Sequence, residues 1–159
     1  MGVMKKFVAL LISMLMMCTC VFAETISIGV GETKNENGFN ISFEHTYNSG
    51  YEYAVIKCDG NANWTFEVES PTVAMVGAIS DCYVNGDRVY IVVKDVIKAI
   101  DIKTGKLIWE APSAGNGDLE VDKYGNVYNT AFDGLDLRVI SKDGELLYTR
   151  KSNSVFARP

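Results

Sequence analysis

From residue 39 onward, short apolar runs rich in Val, Ile, Tyr and Trp are broken at near-regular intervals by Asp-Gly, Thr-Gly or Asn-Gly pairs. Runs of this length and composition, bounded by turn residues, read as β-strands. The stretch "AIDIKTGKLIWE", residues 99–110, shows the unit. A strand runs into Lys103-Thr104-Gly105-Lys106, where the chain must reverse, and a second strand leaves it carrying Trp109. Glycine supplies positive φ at such a turn, and an Asp or Thr before it can hydrogen-bond the turn backbone. The whole pattern predicts strands near 39–46, 51–58, 63–68, 72–77, 81–85, 88–94, 96–102, 106–111, 118–122, 126–131, 136–141 and 145–149. No helical periodicity competes, so the fold class expected is all-β, with strands paired antiparallel in up-and-down order.

The unit repeats. Gly60, Gly105 and Gly144 are spaced 45 and 39 residues apart, and each is followed four residues later by an aromatic: Trp64, Trp109 and Tyr148. Asp59-Gly60 and Asp143-Gly144 are expected to turn the chain as Thr104-Gly105 does. An upstream element keeps the same step: "NGDRVYIVV" at 85–93 matches "YGNVYNTA" at 124–131 with Gly86 and Gly125 also 39 apart. Equal offsets in two separate elements mark a structural repeat, and its period lies in the range of blade-forming repeats. A four-stranded sheet cannot bury both faces alone. A large ring at a fixed position, burying about 150–250 Å², can wedge each sheet against the next. Trp109 is expected to be the most buried ring, with Trp64 behaving similarly.

Ala99-Ile100-Asp101-Ile102-Lys103-Thr104-Gly105-Lys106-Leu107-Ile108-Trp109 resembles the PQQ-like β-propeller repeat, whose signature is A-x-D-x-x-T-G-x-x-x-W. The resemblance is closest over 83–110 and extends in weaker form to 120–150 and 50–68. The first unit has Ile56 where Asp101 stands, and the third has Ile140 there and Tyr148 for the tryptophan. "VDKYGNVY" is similar to the Asp-x-x-Gly-Asn-x-Tyr turn of other bacterial propeller repeats. The resemblance implies about three antiparallel propeller-type blades over 39–159, a partial or open β-propeller. Gly60, Trp64, Asp101, Thr104, Gly105, Trp109, Gly144 and Tyr148 would be its structural repeat residues. The quinone-dependent dehydrogenases of that family resemble closed rings of many blades, with cofactor and calcium on the axis. This chain has three units, no adjacent cysteine pair and no residue that matches their catalytic positions. It is therefore expected to be no enzyme and to need no cofactor.

The first 23 residues stand apart. Lys5 and Lys6 precede an apolar block from Phe7 to Met17, and Val21-Phe22-Ala23 places small residues where signal peptidase reads them. This is the three-part pattern of a secretory signal peptide, 1–23, and it is followed by an N-terminal extension, 24–38. Met17 before Cys18 argues against a lipid anchor. Cleavage removes two lysines and no acid, leaving 13 basic against 20 acidic side chains and a net charge of −7. An acidic chain with no basic stripe suits neither nucleic acid nor other polyanions. No second long apolar run is present, so no membrane span is expected after cleavage. The expected location is secreted or cell envelope. Of four cysteines, Cys58 and Cys82 remain. Two readings stay open: a disulfide, or two small buried thiols.

Other chemistry finds little footing. His45 is the single histidine and reads as an exposed strand residue. Asp118, Glu120 and Asp122 alternate as acids of a calcium loop would, but Lys123 sits where that loop needs glycine. The simpler reading puts all three on one solvated strand face. Tyr47, Tyr51 and Tyr124 read as plain strand and loop aromatics. A secreted, non-catalytic binding or scaffold module is thus expected, with a fragment of a larger propeller-bearing enzyme or surface protein as the alternative. Three sheets leave two end faces. Val55 and Phe66 are expected on the first, and Val139, Leu147 and Tyr148 on the other, with residues 24–38 able to cover one at most. A protein partner or self-association is the expected consequence.

Overall fold

A computed structural model of the chain describes residues 24–72 and 77–151. Residues 1–23, expected to be a signal peptide, and most of the strand expected at 72–77 lie outside these; Thr72 and Gly77 themselves are not in a strand. The described residues form no helix. They form thirteen strands: β1 (Ile26–Ile28), β2 (Thr33–Glu36), β3 (Phe39–Asn48), β4 (Tyr51–Gly60), β5 (Trp64–Pro71), β6 (Ile79–Asn85), β7 (Arg88–Val93), β8 (Val96–Asp101), β9 (Leu107–Pro112), β10 (Leu119–Val121), β11 (Val127–Thr130), β12 (Asp136–Ile140) and β13 (Leu146–Lys151).

Three antiparallel sheets result, in the order of the chain. Sheet I is β2-β3-β4-β5, sheet II is β1-β6-β7-β8-β9, and sheet III is β10-β11-β12-β13. Each is an up-and-down meander except at β1, which joins the near edge of β6 with Ile26 opposite Val84 and Ile28 opposite Cys82.

Sheet II is covered on both faces, and the pleat explains how. Successive side chains point to opposite sides. Cys82, Val84, Val89, Ile91 and Ile100 pack with Ile41, Phe43, Ala54, Ile56 and Cys58 of sheet I. Tyr83, Tyr90, Val92, Ile97, Ala99 and Trp109 pack with Leu119, Val121, Val127 and Ile140 of sheet III. This is why "RVYIVV" in β7 reads as an unbroken apolar run while strands of the outer sheets alternate. Trp109 is 9% exposed, whereas Phe43 and Tyr90 are buried more completely. The strand centres, not the tryptophan at the rim, hold the deepest rings.

Residues 24–38 do not lie over an end face. They run as a strap along the first-strand edges of all three sheets. β2 pairs with β3. Gly31 and Phe43, and Phe43 and Glu32, continue that ladder. β1 then pairs with β6. Thr25 reaches sheet III, where its Oγ1 accepts the Val121 amide at 2.9 Å. Phe66, expected on an end face, points inward against the core between sheets I and II.

Candidate functional site

The repeat residues meet across sheet boundaries. Trp64, at the start of β5, donates its indole N–H to the Ile102 carbonyl of sheet II at 2.8 Å. Its side chain lies against the next hairpin, where a Cβ on Gly105 would stand 2.6 Å from the indole. Trp109 repeats this one sheet further on. It donates to the Lys142 carbonyl at 2.9 Å, and a Cβ on Gly144 would fall 2.8 Å from its ring. Both glycines have positive φ, 67° and 91°. Glycine is therefore needed twice over, for backbone conformation and for close approach.

The turns themselves are tied by side chains. Asp101 accepts the Lys103 amide, the Thr104 amide and the Thr104 hydroxyl at 2.8–3.0 Å. Burial raises the Asp101 carboxyl, but the hydrogen bonds from Thr104 and Lys103 outweigh it and hold it below the ordinary carboxylate range. In the third unit Ser141 does this work, accepting the Asp143 and Glu145 amides. Neither Asp143 nor Asp59 caps its own turn; Asp59 instead accepts the Asn40 side chain. Gly60 receives no ring. The carbonyl of Gly38, in sheet I itself, occupies that space, 2.5 Å from where a Cβ would be. Tyr148, the third aromatic, stands 50% exposed.

A second constellation was not foreseen. Glu52 is fully buried and accepts the Ala78 amide at 2.7 Å and the Ile79 amide at 3.1 Å. His45, expected on the surface, is enclosed, and its Nε2 lies 3.2 Å from the Glu52 carboxylate without an aligned hydrogen bond. Asn116 donates to the Gly77 carbonyl at 3.1 Å. These contacts join the β3–β4 hairpin of sheet I to the segments entering sheets II and III. The position of His45 was readable: it shares parity with Ile41 and Phe43 on β3, which face the core. Glu52 has no access to solvent, and its bonds fasten sheet I to the segment entering sheet II.

The alternating acids part company. Glu120 faces solvent opposite Leu119 and Val121. Asp122 closes the "DKYGN" turn by accepting the Tyr124 and Asn126 amides and the Asn126 side chain. Burial raises its carboxyl, and the bonds from Asn126, Tyr124 and Tyr128 more than offset this. Among the described residues, no three His, Cys, Asp or Glu side chains converge as a metal site. Cys58 and Cys82 are free thiols in the core between sheets I and II. Burial pushes both thiols up, with Asp59 and Asp81 adding to it, and Cys82 is raised the more strongly. Tyr47, Tyr51, Tyr124 and Phe132 are exposed.

No helix of the described residues is long and apolar enough to cross a membrane. The chain matches no protein-family model, and no curated protein matches it.

Proposed function

We propose that this chain is an exported, non-catalytic module built on the plan of the PQQ-like β-propeller repeat. It works by presenting a rigid stack of sheets to a protein partner. The observation that carries this reading is the tryptophan-on-glycine contact between consecutive sheets, made twice at the spacing of the repeat. Each sheet with its hairpin is one blade, and the ring of one blade locks onto the turn of the next. The side chains that could do chemistry are committed elsewhere: Asp101 and Asp122 to turns, Glu52 to buried amides. Export is supported by the three-part pattern of residues 1–23. Cleavage after Ala23 leaves Thr25 and β1 intact, and both are built into the sheets.

Two measurements test this on protein recovered from an exporting host. Its mass should correspond to a chain starting at Glu24. With pyrroloquinoline quinone and calcium supplied, it should oxidise neither alcohols nor sugars. Turnover above the protein-free control would overturn the non-catalytic reading, and an uncleaved chain would overturn export by signal peptidase.

A further inference from the structure

The two end faces of the stack are unlike. On sheet I the outward rows nearest the Gly60 turn are mostly polar, and Tyr53 and Tyr51 follow them along β4. Ser42, Lys57 and Thr65 lie side by side, and Glu44 and Glu67 flank Val55 in the next row. Lys57 and Glu44 pair across them at 2.9 Å. The Gly60 turn, where a preceding ring would dock, is already filled by the Gly38 carbonyl. This end is a cap of the kind that terminates a repeat array.

Sheet III ends differently. The tryptophan row faces the next sheet in both earlier units: Ile41–Cys58–Trp64 in sheet I and Tyr90–Ala99–Trp109 in sheet II. The same row in sheet III is Tyr128–Val139–Tyr148. It continues an interface used twice within the molecule, yet Tyr128 and Tyr148 are exposed. Leu137 lies in the adjoining row, beside Arg150 on β13. Glu120 occupies the β10 end of the tyrosine row.

We propose that this open face seats a second copy of the chain, forming a closed two-fold dimer through sheet III. This gives the protein partner of the proposed function an identity, and it rests on that reading only for the kind of partner. Head-to-tail stacking would set the apolar row against the charged cap of sheet I. Tail-to-tail stacking sets it against its like. A two-fold axis parallel to the strands lays the β10 side of one copy over the β13 side of the other, so Glu120 comes over the Tyr148 position, one row from Arg150. The perpendicular axis would place acid on acid. Because both copies use the same face, association stops at two. Four strands about 4.8 Å apart, with three to six residues at about 3.3 Å each, present about 290 Å² in projection. A standard interface buries about 800 Å² per partner, so the dimer is a weak one that forms at micromolar concentrations.

Sedimentation velocity on the processed chain, from about 1 µM to several hundred µM, reads the association directly. A monomer–dimer equilibrium with no larger species is expected. Val139→Lys and Tyr128→Lys should each weaken it by about tenfold or more, and Val55→Lys on the sheet I face should leave it unchanged. Tyr128 is exposed, so its substitution retains the fold, which near-UV circular dichroism verifies. A monomer throughout, species beyond the dimer, or a dimer indifferent to Tyr128→Lys would each overturn the proposal. Oxidase turnover would sink the non-catalytic reading and leave this one standing; a strict monomer would do the reverse.

Discussion

At Gly144 and Trp109, one residue's missing side chain makes room for the other's ring. The two should therefore be coupled in energy. Trp109→Ala removes a nearly buried indole and its bond to Lys142, and should cost about 3–5 kcal/mol by urea unfolding. Gly144→Ala adds positive-φ strain of about 1–2 kcal/mol and pushes on the ring. In the Trp109→Ala background only the strain should remain, so the double-mutant cycle should show non-additivity. Additive losses would separate the glycine from the ring. The glycine–aromatic spacing was legible in the sequence, but the partner was not. Period alone does not say that Trp64 docks on the turn 41 residues ahead rather than on its own. Gly60 shows the same limit from the other side. It carries the spacing and takes a carbonyl instead of a ring, because sheet I has no predecessor among the described sheets.

Among elements, the strap from Thr25 to Glu36 is the part the sequence hid. β2 is "TKNE", with no apolar residue, and β1 has three residues. β2 carries no hydrophobic period and the Ile-Ser-Ile alternation of β1 is too short to stand out; they are strands because β3 and β6 offer them an unpaired edge. The eleven strands from β3 onward announced themselves through apolar runs between turn residues, with ends displaced by only a few residues. Thr25 matters beyond its size, since its hydroxyl oxygen satisfies an amide on β10. Thr25→Val should cost about 1–2 kcal/mol and speed hydrogen exchange at the Val121 amide. Unchanged exchange there would mean that the strap does not hold sheet III.

For the whole molecule, burial is graded from the middle outward. β7 and β8 lie in the sheet covered on both faces, and every residue of β13 is exposed. Native-state hydrogen exchange should follow that order, slowest in β7 and β8 and fastest in β13, because opening an edge strand exposes little apolar surface. Uniform protection across the three sheets would contradict it. The polar rows of sheet I belong to the same gradient: the alternation that gave β4 was readable, but which of its faces met a neighbour depended on a packing order that no single strand encodes. The strap also sets a sequence of events. Residues 26–28 are made first, yet their partners on β6 lie at 82–84, and the partner of Thr25 lies 96 residues downstream. Contacts between such distant positions close large loops and form late. A chain threaded through a membrane from its amino end would carry its first strand across unpaired, and would finish folding by taking in its own beginning.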